Sequence, residues 1–189
     1  MESALIVSCT GKTNCFFKEM LNEAGIDQIV TINTVMEARR LLLRQDFDLV
    51  IVNSPLPDES GEGFSRQIAS GDSSQAILIV KEECFEGISS ACENDGVLTI
   101  AKPVNKTVFR STLLLARSAH ARLRRLREEN SRLKQKLEDI GIINRAKYIL
   151  ITYLNMSEQE AHRFIEKQAM DMRAAKRVIA EGILKTYEN

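Results

Sequence analysis

The sequence predicts an α/β domain on a five-stranded parallel sheet, followed by a long coiled-coil helix and a small three-helix C-terminal domain. Three observations carry this. Short apolar runs alternate with helical spacing through residues 1–108. From Phe109 the apolar positions change to an alternating three-and-four spacing. After Pro103 no proline occurs and glycine is rare, so nothing breaks long helices there.

Ala4–Ser8 is the first strand. Thr13–Ala24 is a helix with Phe16, Phe17, Met20 and Leu21 on one side, stopped at Gly25. Gln28–Ile32 is the second strand and Val35–Arg44 the second helix. Phe47–Val52 is the third strand, and its unbroken apolar character predicts burial on both faces. Ser60–Ser70 is a third helix, Ala76–Val80 a fourth strand, Phe85–Asn94 a fourth helix and Val97–Ile100 a fifth strand. Five βα units in so short a span suit a flavodoxin-like sheet, whose ligand site lies at the carboxyl ends of the strands.

Phe109, Thr112, Ala116, Ala119, Leu123, Leu126, Asn130, Leu133, Leu137, Ile140 and Asn144 form an a/d heptad seam. An Asn at an a position pairs best with its twin, which favours a parallel two-stranded register. Glu129 at g can meet Lys134 at e of a second chain, whereas Arg122 would face Arg127. The seam predicts a homodimer; the competing reading is a single amphipathic helix packed on the first domain. Asn155-Met156-Ser157 breaks the helix, and Ser157 with Glu160 forms a capping box. The next helix runs through Ala161, Phe164, Ile165 and Gln168 to about Met170. The last opens at Asp171 or Met172, carries Ala175, Val178, Ile179, Gly182 and Ile183 on its apolar side, and ends near Tyr187.

The 189 residues carry no net charge, but the halves differ. Residues 1–108 hold 9 Lys/Arg against 16 Asp/Glu, a balance of −7; residues 109–189 hold 17 against 10, a balance of +7. Such a split points to a basic module that meets a polyanion. The alternative is a charged, solvated helical surface. The N-terminus lacks the basic region of a signal peptide, and no run approaches the roughly 20 apolar residues of a membrane span. A cytoplasmic protein with no membrane partner is expected. Cys9, Cys15, Cys84 and Cys92 stand singly, away from His120 and His162, so reduced thiols are expected and no metal site or cofactor.

Phe47–Gly61 (FDLVIVNSPLPDESG) and Ile100–Val104 (IAKPV) resemble the third strand, its following loop and the fifth strand of response-regulator receivers. The resemblance implies an acidic pair after the first strand for Mg²⁺, a phosphate-accepting Asp ending the third strand and a hydroxyl after the fourth. These positions fall on Ser8 and Cys9, on Asn53 and on Val80; only Lys102 remains. Mg²⁺ wants hard oxygen ligands, usually carboxylates, and an amide does not accept a phosphoryl group. A pseudo-receiver is expected, with Lys102 either bonded to Asn53 or in solvent, and with the Lys102–Pro103 bond cis as the resemblance implies. Thr10-Gly11-Lys12-Thr13 looks like the end of a P-loop, but that motif needs Gly at position 6, which is Ile. Two histidines outside this half leave no nucleophile–base pairing, and no enzyme is expected.

Ile142–Leu184 resembles the ANTAR domain, an RNA-binding antitermination module. The matches are Ala146, Lys147, Ile149 and Leu150, then Ser157, Glu158 and Ala161, then Ala169 and Met170, then Ile179 and Ala180. Tyr148 departs from the family's usual Gly. The expected domains are 1–108, receiver-like; 109–141, a dimerisation helix with Leu123, Leu126, Asn130, Leu133, Leu137 and Ile140 in its seam; and 142–189, ANTAR-like. Arg145, Lys147, Arg163, Lys167, Arg173, Lys176 and Arg177 supply cations for phosphates. Tyr148 and Tyr153 can stack on splayed bases, since the deep major groove of A-form RNA is closed to side chains; Tyr153 suits a core equally well. The resemblance implies a dimer that binds hairpins of a nascent leader transcript and prevents termination. A partner protein, a small ligand or protein concentration would then control it, or the acidic domain would shield the basic helices. The rival readings are a DNA-binding factor of the response-regulator type, with Arg173, Lys176 and Arg177 on a recognition helix, and a coiled-coil protein-interaction adaptor.

Overall fold

In a computed structural model that describes residues 1–71 and 74–187, the elements run β1 (Ser3–Val7), α1 (Gly11–Glu23), β2 (Gln28–Ile32), α2 (Val35–Leu42), β3 (Leu49–Asn53), α3 (Glu62–Ser70), β4 (Gln75–Lys81), α4 (Glu82–Glu93), β5 (Leu98–Lys102), α5 (Lys106–Leu154), α6 (Glu158–Asp171) and α7 (Lys176–Tyr187). The strands form one parallel sheet in the order β2-β1-β3-β4-β5. The chain divides into two compact units, Met1–Arg124 and Arg125–Asn189, and α5 contributes to both.

In the first unit the period-two alternation sends successive strand residues to opposite faces. Ala4, Ile6, Leu49, Ile51, Ile77 and Ile79 pack against Phe17, Met20 and Leu21 of α1 and against the start of α5. Leu5, Val7, Val50, Val52, Leu78 and Val80 pack against Val35 and Ala38 of α2, Phe64 of α3 and Cys92 of α4. Both faces are covered, so β1 and β3 are fully buried, as unbroken apolar runs require. Gly61 turns the chain into α3 with φ +82°, and a Cβ there would meet Val52 Cγ1 at 2.6 Å. The turn needs glycine for both reasons.

The first unit extends beyond residue 108. Phe109, Leu113 and Ala116 of α5 are buried in its core, and His120 is buried on the same face with Nε2 3.5 Å from Asp48 Oδ1. Phe109 stacks on Phe17 with centroids 5.3 Å apart and meets Phe16 edge-on at 5.8 Å. These early turns follow the competing reading of the seam, a helix packed on the first domain. The buried face takes Leu113 and His120 where the heptad reading placed Thr112 and Ala119. Phe109→Ala is expected to destabilise this unit by roughly 3–5 kcal/mol through cavity formation, measured as a lowered urea midpoint.

The second unit closes on Ala146, Ile149 and Leu150 of α5, Ala161, Ile165 and Ala169 of α6, and Ile179, Ala180 and Leu184 of α7. Asn155, with φ 52°, terminates α5, a conformation Asn tolerates. The expected capping box is present: Ser157 Oγ accepts from Glu160 N at 3.3 Å and Ser157 N donates to Glu160 Oε2 at 2.8 Å. The start of the last helix differs from the expectation. Asp171 still belongs to α6, and α7 begins only at Lys176. Between them Ala174 N donates to Ala169 O at 3.0 Å and Arg173 N to Met170 O at 3.2 Å, the paired bonds of a Schellman turn. The later start changes the apolar face. Ala175, Val178 and Gly182 are exposed, Ile183 is half-buried, and Ala180 and Leu184 join Ile179 in the core.

Candidate functional sites

At the carboxyl end of the sheet, Ser8 and Asn53 are buried side by side, and Asn53 Nδ2 donates to Ser8 Oγ at 3.0 Å. Asn53 Oδ1 has no hydrogen-bond partner. Lys102 Nζ donates to the carbonyl of Ser54, so it neither bonds Asn53 nor stands free in solvent. Burial pulls the Lys102 ammonium below its ordinary pKa; Cys9 opposes this and Lys81 adds to it. The Lys102–Pro103 bond is cis, as is Ser54–Pro55. Cys9 is exposed, with Sγ 4.0 Å from Thr10 Oγ1 and from the Pro55 carbonyl. Val80 departs from its expected place: it lies inside β4, buried in the sheet's second core, because β4 runs to Lys81. Asp58 is engaged elsewhere. Its carboxylate accepts from Val35 N at 3.2 Å and Met36 N at 2.9 Å, which caps α2.

Asn53 and Lys102 line an open cleft of about 500 Å³ together with Thr10, Lys12 and Thr13 at the start of α1. Sequence reasoning set Thr10–Thr13 aside as a failed P-loop. The usable signal was simpler: a helix starting directly after a central strand places its first turn at the sheet's ligand edge.

In the second unit the expected RNA-facing cations divide into two groups. Lys147 Nζ meets Glu158 Oε1 at 2.8 Å with its side chain mostly covered. Lys176 pairs with Glu166. Arg177 bonds Glu181 Oε1 through Nε at 2.8 Å and Asp139 Oδ1 through Nη1 at 2.9 Å. These three join α5, α6 and α7 to one another or close a helical turn. Glu158, Glu166 and Asp139 are each held below the ordinary carboxylate pKa: hydrogen bonds from Lys147 and Lys176 lower the first two, and Gln135 followed by Arg177 lowers the third. Among the described residues Arg163, Lys167 and Arg173 are exposed and make no ion pair. Arg163 and Lys167 lie four apart on α6, and Met170 extends the same stripe towards Arg173. Arg145 and Tyr148 are exposed on α5, Tyr148 at 70%. Tyr153 is also exposed and lies 5.6 Å from the Tyr187 ring, centroid to centroid, so its core role is not realised.

Arg173 holds φ 50° at the centre of the Schellman turn, a position where glycine is unstrained. Arg173→Gly is therefore expected to leave stability unchanged or raise it by up to about 1 kcal/mol while deleting an exposed cation. Thermal melts check the first part.

Residues 131–184 match the ANTAR domain. Over 168 residues, 89% of this chain and 82% of the relative, the sequence is 27% identical to the transcriptional regulatory protein PdtaR of Mycobacterium tuberculosis. The fold of the first unit is shared with the chemotaxis response regulator CheY4 of Vibrio cholerae, at TM-score 0.53, 19% identity, 61% of this chain and 98% of that one. It is shared too with the signal receiver domain of an HD domain-containing protein of Pseudomonas fluorescens, at TM-score 0.55, 21% identity, 67% of this chain and 91% of that one. Residues 131–184 of this chain thus match an ANTAR domain, behind an N-terminal unit with a receiver-like fold.

Proposed function

We propose that the protein is a transcription antitermination regulator that binds RNA hairpins of nascent leader transcripts as a homodimer. The ANTAR match over residues 131–184 carries this reading. The exposed stripe of Arg163, Lys167 and Arg173 gives it a physical basis, since unpaired surface cations are free to replace the counterions of RNA phosphates. Arg145 and Tyr148 extend the surface; Lys147, Lys176 and Arg177 support it by holding the helices in place.

Leu123, Leu126, Leu133, Leu137 and Ile140 are all exposed in the single chain. Five large apolar side chains at heptad spacing on one exposed helix favour pairing with a second copy, with Asn130 setting a parallel register. Two RNA sites on one dimer then act at high effective concentration on tandem hairpins.

The receiver-like unit works without phosphorylation in this reading. Ser8, Cys9 and Asn53 provide no carboxylate at the strand ends, and Asn53 Nδ2 is committed to Ser8. Such a donor set does not fit Mg²⁺, and an amide is no phosphoryl acceptor. No catalysed reaction is assigned. No helix among the described residues is long and apolar enough to cross a membrane.

Competition at fixed salt tests the reading against a DNA-binding role. Hairpin RNA is expected to displace a labelled hairpin far better than duplex DNA of equal length. Equal or better displacement by duplex DNA would favour the DNA-binding reading.

A further inference from the structure

We propose that the groove between the end of α5, α6 and α7 receives one unpaired base from the loop of an RNA hairpin. This rests on the RNA-binding reading and names the part of the RNA that the second unit reads. The groove has a volume of about 440 Å³. Leu154 of α5, Phe164 and Gln168 of α6, Met172 just after it, and Val178 and Gly182 of α7 lie on its wall. None of the described residues that line it is charged. Leu154, Met172 and Val178 are nonetheless exposed, so the core of the second unit leaves this apolar surface in water. A patch of that kind marks a binding surface.

Charge selects the occupant. Arg163 and Lys167 each precede a groove residue of α6, and Arg173 follows Met172. A helix turns by about 100° per residue, so the cation stripe runs on the adjoining face of α6, along the rim of the groove. An apolar groove with a cationic rim suits a ligand that carries phosphates beside flat apolar faces, which is single-stranded RNA. Phe164 gives the base a ring to stack on. Gln168 is half-buried and makes no side-chain hydrogen bond among the described residues, so its amide is free to donate to and accept from the base edge.

Gly182 supplies a second observation. It stands inside α7, where glycine weakens a helix. A Cβ there would meet nothing within 4 Å, so packing within the unit does not require glycine. A larger side chain at this position would instead fill the groove.

The test uses a stem-loop RNA selected by the 189-residue wild-type chain from a pool with a randomised loop. Each loop nucleotide is then made abasic in turn, and the intact stem-loop is also titrated with Gly182→Leu. One abasic position is expected to weaken binding to wild type about tenfold. Gly182→Leu is expected to weaken the intact loop by a similar factor, with a melting temperature at or above that of wild type. Its slope of log affinity against log salt should not change, since no cation is lost. The two losses are expected not to add, because both remove the same contact. Wild-type affinity indifferent to every abasic position, affinity indifferent to Gly182→Leu, or fully additive losses would overturn the proposal while leaving RNA binding intact. Altered sedimentation of Gly182→Leu with unchanged RNA affinity would overturn it too, by giving the groove to a second copy of the chain. Selection of no stem-loop at all would overturn both this proposal and the RNA-binding reading.

Discussion

A chain carrying Leu133→Asp and Leu137→Asp is expected to sediment as a monomer at concentrations where the wild type is expected to form the proposed dimer. Both leucines are exposed in the single chain, so the change leaves each unit's own core intact. In a paired coiled coil they stand at successive seam positions, and a dimer loses four of them. At roughly 1.5 kcal/mol or more for each buried leucine, association weakens by on the order of ten-thousandfold; buried carboxylates add a further penalty. Affinity for a tandem-hairpin RNA is expected to fall at least a hundredfold (about the low end of bivalent gains), while affinity for a single hairpin changes little. Sedimentation velocity and a two-probe binding assay read both effects. A variant that remains dimeric would show that the seam does not hold the dimer together.

The double variant Arg163→Ala/Lys167→Ala is expected to bind hairpin RNA at least tenfold more weakly at moderate salt. Its salt dependence should flatten, with the slope of log affinity against log salt falling by about one for each phosphate that is no longer neutralised. Neither residue is in an ion pair among the described residues, so the melting temperature should stay near that of wild type. Lys147→Ala serves as the contrasting control. It breaks the ion pair to Glu158, so its effect should appear in stability as well as in binding. If only Lys147→Ala weakens RNA binding, the RNA-facing surface lies on α5, and the α6 stripe is ordinary solvated charge.

The sheet was legible because parallel strands buried on both faces read as unbroken apolar runs, and β2 matches its expected span at both ends. Helix starts were harder. Thr10 ahead of α1 and Lys81 ahead of α4 make no side-chain capping bond, so α1 and α4 begin before the apolar periodicity announces them. The Schellman turn at Arg173 was hidden because glycine normally marks that position. The heptad pattern ran unbroken through Phe109 and Ala116, yet the receiver-like core claims both; spacing alone does not say which partner covers a helix face. In the basic half, composition marked seven cations alike. Only the fold shows that Lys147, Lys176 and Arg177 are held by carboxylates from neighbouring helices or turns.

RNA binding is tested most directly by the affinity of the 189-residue wild-type chain for a tandem-hairpin RNA across a salt series, with a single hairpin alongside. Tighter binding to the tandem RNA and a steep linear fall of log affinity with log salt are expected. Absence of binding at low salt, both for the whole chain and for the segment 109–189, would contradict RNA binding by this protein.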